Sequence, residues 1–338
     1  MVYPPAFELK IGFDRIRRMI AEQCLCQLGR DEVEHAAMMC EPAAVEHELQ
    51  LSDEMRRVLE MESNFPQDNY LDLTPSLKKL RHTGTFLEIQ ELFDLRKSVS
   101  TFEKLRNFFH DEKVGNAYPV LTEEFSQLKF FPFVGDIIDR IVTREGTIKD
   151  NASPALKDIR DARKQKHAAV TRKIQSVLKT AQHEGLAEMD AEVTLRDGRP
   201  VIPVQAGQKR RLSGLIHDES SSGKTVFIEP AEVVELNNEI RELDYAERRE
   251  ILKILAAVSD EIRPYTEDLL LVYSQLGRID FLRAKAKLAI RIKGVKPIMS
   301  ADGGMQWKNA VHPLLYLAHT AEGKEVVPLD IRMDKENR

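Results

Sequence analysis

Two long charged runs each carry a single narrow apolar stripe, and this pair constrains the fold more than any other feature. Within 154–184 the stripe is Leu156, Ile159, Ala162, Val170, Ile174, Val177 and Ala181. From Ala231 onward it is Val233, Leu236, Ile240, Leu243, Ile251, Ile254, Val258 and Ile262, closed by Pro264. The spacing predicts helices, and a stripe this narrow leaves most of each helix in solvent. Two such helices bury their stripes against each other as an antiparallel coiled pair. Some thirty residues at ~1.5 Å each make an arm ~45 Å long. Ser153 is the expected N-cap of the first helix, with Pro154 in its first turn.

Between these helices the composition changes. Val193–Leu195, Pro200–Val204, Gly214–Ile216 and Lys224–Ile228 read as short strands, and Asp197-Gly198 as a hairpin turn. The economical arrangement is a small β module at the far tip of the helical arm. Before the arm, helices are expected over 12–28, 42–62, 74–83, 87–110, 119–130 and 134–145, with breaks at Gly29, Pro66, Gly84, Gly115 and Pro119. The fourth has a clear stripe of Leu87, Leu92, Leu95, Val99, Phe102 and Leu105. After a helix over 265–292, the residues Ile298, Met305, Trp307, Val326-Val327 and Ile331 read as strand-like, as if opening a domain that the chain does not complete. The expected fold class is mainly α. Residues 1–150 form a helical core, 151–189 and 231–295 the long helices, 190–230 the β-containing tip, and 296–338 the first strands of a further domain.

Composition supports this layout and excludes several functions. Aromatic residues are only 7% and charged residues 31%, which suits long, solvent-washed helices. The net charge of −5 gives no global signal for a polyanion, so any nucleic-acid site must be a local patch. There is no apolar run near 18 residues and no signal-peptide pattern at Met1–Gly12, so a soluble, cytoplasmic protein without a membrane partner is expected. The three cysteines make no disulfide framework. Cys24 shares an apolar face with Phe13, Ile16, Ile20 and Leu28, and Cys26 falls elsewhere on that turn. Cys24, Cys26, His35 and Cys40 are a poor zinc set, because successive helical residues point about 100° apart. His47-Glu48 begins like a zincin motif, but Leu51 stands where its second histidine belongs.

The stretch "HDESSSGKT" (His217–Thr225) ends like a phosphate loop and fails as one. Asp218 stands where the first glycine is required, and a β-type run follows where a helix should open. Its surroundings are nevertheless basic. Arg196, Arg199, Lys209, Arg210, Arg211 and Lys224 stand against Asp197, Asp218 and Glu219. Ser220, Ser221 and Ser222 add hydroxyls, and Gly223 lets the backbone approach a ligand. Cations, hydroxyls and free amides bind phosphate without reading bases. The plainer alternative is a solvated basic loop with a serine-rich turn. No catalytic set emerges, since His217 beside three serines lacks an orienting acid at any defined spacing.

The stretch Asp197–Ile240, "DGRPVIPVQAGQKRRLSGLIHDESSSGKTVFIEPAEVVELNNEI", resembles MutS proteins of the second type. This branch lacks the mismatch-reading N-terminal domains and usually ends in a small Smr nuclease. "FELKIGFDRIRRMIAEQCLCQLGRDEV", "DFLRAKAKLAI", "KPIM" and "HPLL" (His312–Leu315) resemble further parts of that branch, and Val311 stands where it has arginine. The resemblance implies a helical core, a lever (the helical arm) and a clamp (the β tip) around a nucleic-acid backbone. It implies contacts from Lys209, Arg210, Arg211, Ser221, Ser222 and Lys224. His217, Arg196 and Arg199 are lesser candidates, as residues that can face the module's interior. His312 and Pro313 would lie near a nucleotide. It also implies a longer parent that hydrolyses ATP with Mg, cuts DNA and forms a homodimer. The stretch here would stop before the Walker A loop, hold no cofactor or metal, and be a monomer or weak dimer. The implied partners are duplex or branched DNA, or else stalled ribosomes and their RNA. A purely structural coiled-coil scaffold is the competing reading from another class.

Overall fold

In the computed structural model, which describes residues 7–300 and 304–333, helix formation follows the apolar stripes and the caps. The helices before the β module are α1 (Phe7–Ile11), α2 (Phe13–Gln23), α3 (Gln27–His35), α4 (Pro42–Met61), α5 (Thr74–Leu80), α6 (Ile89–Phe109), α7 (Glu112–Ala117), α8 (Pro119–Glu124), α9 (Pro132–Ile141) and α10 (Pro154–His183). Four strands follow: β1 (Thr194–Arg196), β2 (Arg199–Gln205), β3 (Gly214–Glu219) and β4 (Thr225–Pro230). Then come α11 (Ala231–Ile262), α12 (Thr266–Arg291), β5 (Met305–Ala310), α13 (Pro313–Ala321) and β6 (Leu329–Met333). The protein is mainly helical with small antiparallel sheets. It divides into two compact units: the described residues of 1–138 and 259–338, and residues 139–258.

In the second unit, α10 begins where Ser153 Oγ accepts from Leu156 N at 3.0 Å, with Pro154 in the first turn. The same hydroxyl donates to Glu250 Oε1 of α11 at 2.8 Å. Further along, Arg160 pairs with Glu247 at 2.8 Å, Arg163 with Asp244 at 3.1 Å and with Glu247, and Lys166 with Glu239. Numbers rise on α10 as they fall on α11, so the helices are antiparallel. Leu156, Val170, Ile174, Val177 and Ala181 are buried on one helix and Val233, Ile240, Ile254 and Val258 on the other.

The sheet has the order β1-β2-β4-β3, with every neighbouring pair antiparallel. Asp197 and Gly198 both have positive φ (50° and 75°), the geometry of a two-residue hairpin turn that matches strand twist. Strand alternation turns Ile202 and Val204 of β2 and Val226 and Ile228 of β4 inward. They pack with Ile174, Val177, Leu178 and Ala181 of α10 and with Val233. The small core thus fixes the sheet on the helix pair.

In the first unit, α12 is buried on nearly all sides, with Leu269, Val272, Tyr273, Leu276, Ile279 and Leu282 fully covered. The expected stripe of α6 is buried throughout, and the Phe102 ring meets Tyr273 edge-on at 5.1 Å. Three expectations are corrected. The predicted helix over 12–28 breaks after Gln23, because Leu25 N and Cys26 N turn to Asp280 Oδ2 of α12 at 2.8 and 3.0 Å. Both Cys24 and Cys26 are buried there. The helix expected over 119–130 ends at Glu124, and a short α7 precedes it. Asp111 caps α7 by accepting from Lys113 N at 2.8 Å, and Pro119 cannot extend it because it has no N–H. In the strand-like tail a helix, α13, separates β5 from β6, and Ile298 and Val326-Val327 lie outside the strands. An apolar run this short is read as helix or strand with equal ease. Met305 and Trp307 pair with Met333 and Ile331.

Candidate nucleic-acid interface

The "HDESSSGKT" stretch is strand, turn and strand. Ser220 N donates to Thr225 O at 2.8 Å, Gly223 N to Ser220 O at 2.7 Å, and Thr225 N to Ser220 Oγ at 3.0 Å. Gly223 has φ +67°, which closes the turn at no steric cost. A phosphate loop must open a helix, and here Lys224 leads into β4. The residues present therefore do not fit a nucleotide at this turn.

A second loop joins the turn. After β2 the chain makes a short 3-10 turn at Ala206–Gln208, and Ala206 N donates to Lys224 O at 2.9 Å. This bond brings Lys209, Arg210 and Arg211 beside Ser221, Ser222 and Lys224, and all six are exposed. Lys209 Nζ lies 3.6 Å from Glu219, and Arg211 Nη1 donates to Gln208 Oε1 at 3.4 Å. Arg210 and Lys224 have no carboxylate partner among the described residues.

The remaining three candidates point elsewhere. Arg199 Nη1 donates to both oxygens of the fully buried Glu229, at 2.8 and 3.0 Å, and Nη2 to Asn238 at 2.8 Å. His217 Nε2 meets Glu229 Oε2 at 2.6 Å, and Asn237 Nδ2 donates to Oε1 at 2.6 Å. Arg199 and His217 are thus held in the module's interior. Burial alone would raise the Glu229 carboxyl, but the bonds from Asn237, His217 and Arg199 outweigh it and hold the group below the ordinary carboxylate range. Arg196 lies over the Phe227 ring at 4.0 Å and pairs with Asp218 at 2.9 Å, half-exposed. The sequence reading missed Glu229 and its partner Asn237, and Asn238, which accepts from Arg199. The signal in the sequence was an acid in an otherwise apolar strand, on the face opposite Val226 and Ile228.

His312 and Pro313 are far along the chain from this module, at the start of α13, where His312 is the exposed N-cap. Among the described residues no group of three or more His, Cys, Asp or Glu is placed to hold a metal. None of the described helices is long and apolar enough to cross a membrane.

No family model matches the chain. Curated relatives do. A protein named Endonuclease MutS2 from Geobacillus sp. (strain WCH70) is 32% identical over 329 residues, covering 96% of this chain and 41% of the relative. Its namesake from Caldanaerobacter subterraneus subsp. tengcongensis is 32% identical over 326 residues, covering 96% and 40%. That from Alkaliphilus oremlandii is 29% identical over 305 residues, covering 90% and 38%. The chain spans about two fifths of the length of these relatives. Over nearly its whole length, this chain is related to the N-terminal part of the endonuclease MutS2 proteins.

Proposed function

We propose that this chain is the core, lever and clamp portion of a MutS2-type ATPase. Its β module grips the backbone of duplex or branched nucleic acid without reading sequence. The antiparallel pair α10–α11 is the lever, the four-stranded module the clamp, and β5, α13 and β6 the beginning of the ATPase domain, with His312 and Pro313 on its nucleotide side. ATP hydrolysis and DNA cleavage belong to the longer parent. The observation that carries this reading is the junction of two exposed loops. Ala206 N on Lys224 O joins the loop of Lys209–Arg211 to that of Ser221, Ser222 and Lys224, a set of exposed cations and hydroxyls in which Arg210 and Lys224 have no carboxylate partner among the described residues. Such groups meet phosphate oxygens and carry no base information.

The salt dependence of binding tests it. Four tip cations on phosphates give a slope of log K against log salt of about −3 to −4, at ~0.9 per contact. Lys209→Ala with Arg210→Ala should remove roughly two units of that slope, and an unchanged slope would sink the assignment. Competition between branched DNA and ribosomes for the same chain decides which polyanion it prefers.

A further inference from the structure

The charges of α10 are unevenly divided. From Ala162 to His183 the helix carries Arg163, Lys164, Lys166, Arg172, Lys173 and Lys179 and not one carboxylate. Arg163 and Lys166 face α11 and are neutralised there by Asp244, Glu247 and Glu239. Lys164 is exposed and reaches only Asp150 and Asp161, at 3.6 and 3.9 Å near the start of the helix. Arg172, Lys173 and Lys179 are exposed, and none of them has an ion pair among the described residues. The polar bond given for Arg172 is from Nε to the carbonyl of Ala168 one turn back. The charges of the two long helices compensate one another on the face between them and not on the outer face of α10.

Lys164, Arg172 and Lys179 are spaced at close to whole helical turns, so they share one face, opposite the buried Val170, Ile174 and Ala181. Gln165, Ala168, Gln175 and Ser176 lie among them and are all exposed. The face offers no large apolar or aromatic residue, whereas the centre of a protein interface is built on such anchors. Arg172 and Lys179 have no ion pair among the described residues, and repulsion among like charges slightly opposes the fold. The end of this helix also leads to the basic loops. Shortly after Lys179 and His183, Leu186 O accepts from Gln205 N at 3.1 Å, and the next residue, Ala206, bonds Lys224 O.

We infer that the outer face of α10 is a second phosphate-contacting surface, which lays double-stranded nucleic acid along the helix beyond the β module. From Lys164 to Lys179 the face is ~23 Å long, the rise of roughly seven base pairs at ~3.4 Å each. The inference rests on the proposed grip of the β module and extends it. A polyanion supplies the counter-charges that the fold withholds, and release of its condensed cations drives the association.

The test uses the whole chain, a duplex of about 30 base pairs, several times longer than that face, fluorescence anisotropy and a salt series. Lys164→Gln, Arg172→Gln and Lys179→Gln together should lower the slope by about 2.7 units, at ~0.9 per contact. Lys164→Arg, Arg172→Lys and Lys179→Arg together should restore it. Removing Arg241, Arg248 and Arg249 from α11 as glutamines changes net charge equally and should leave the slope nearly native. The substituted residues are exposed, so unchanged circular dichroism and Tm confirm folding. A native slope in the α10 triple variant overturns the inference. If the Lys209→Ala, Arg210→Ala variant still loses slope, the proposed function survives that result. If neither variant loses slope, or the native chain binds no duplex, both readings fall. An equal loss in the α11 variant shows a net-charge effect and overturns the local surface. Self-association of the native chain that the α10 variant abolishes, with duplex binding intact, assigns the face to a second copy and overturns it too.

Discussion

Each unit contains one fully buried carboxylate bound to an arginine, and the two differ in what else they hold. Asp280 accepts from Arg283 Nε and Nη2 at 3.1 and 3.0 Å on Oδ1, and from the backbone amides of Leu25 and Cys26 on Oδ2. Arg283 is itself fully buried, with Nη2 also on Gln23 O and Nη1 without a hydrogen-bond partner. Glu229 is held only by side chains, and two of these, Arg199 and His217, keep some access to solvent. Losing Asp280 strands a fully buried arginine and the buried amide of Cys26. Losing the charge of Glu229 strands groups that can partly turn outward. The buried charge of the first unit locks a chain path, and that of the second ties strands to a helix.

The largest expected effect therefore falls on Asp280→Ala. Removing one partner of a buried ion pair costs about 3–5 kcal/mol, read as a lower midpoint in urea unfolding. The same node has a chemical readout. Burial first, and then the charge of Asp280, pushes the Cys24 and Cys26 thiols up to about 12, while Cys40 is exposed. In the native chain one thiol of the three should react promptly with an aromatic disulfide reagent, and in Asp280→Ala the other two should become reactive. A native chain that titrates three thiols at once would dissolve the distinction.

Next comes Glu229→Gln, with an expected loss of about 1–3 kcal/mol from its weakened charged bonds. The pH dependence sharpens this. The Glu229 carboxyl is held below its ordinary value of 4.5, so its contribution is present above that pH and is lost as pH falls through the depressed value. The stability gap between native and Glu229→Gln should be constant at neutral pH and narrow below 4.5. A gap that widens on acidification would mean that the carboxyl is not stabilised by its partners. Ser153→Ala should cost about 1 kcal/mol through the lost cap of α10, measured by the same unfolding curves.

The smallest stability effect belongs to the exposed cations. Arg210→Ala and Lys224→Ala should each change stability by less than about 0.5 kcal/mol, yet each should remove ~0.9 units of salt slope. A large loss of stability here would place these side chains among the structural charges of the module.

Periodicity alone was enough for the long elements. The stripes of α10 and α11, the Ser153-Pro154 start, the Asp197-Gly198 turn and the four short strands all follow from local chemistry that neighbouring residues specify. So does the failure of "HDESSSGKT" as a phosphate loop, since Asp218 and the β run after it are visible in the chain itself. The tertiary structure decided what depends on partners distant in sequence. Gly29 lies inside α3 rather than at a break, and its missing side chain leaves room for Asp280, since a Cβ there would come within 2.4 Å of Asp280 Oδ2. Arg199 and His217 turn inward because Glu229, on another strand, offers two buried oxygens. Lys209–Arg211 join Ser221 and Lys224 because one backbone bond closes the gap between two loops. The division of the α10 cations into paired and unpaired sets likewise depends on which of them α11 can reach. Local sequence sets which helix or strand forms, but the pairing of a buried charge is a long-range event, settled only when the chain has packed.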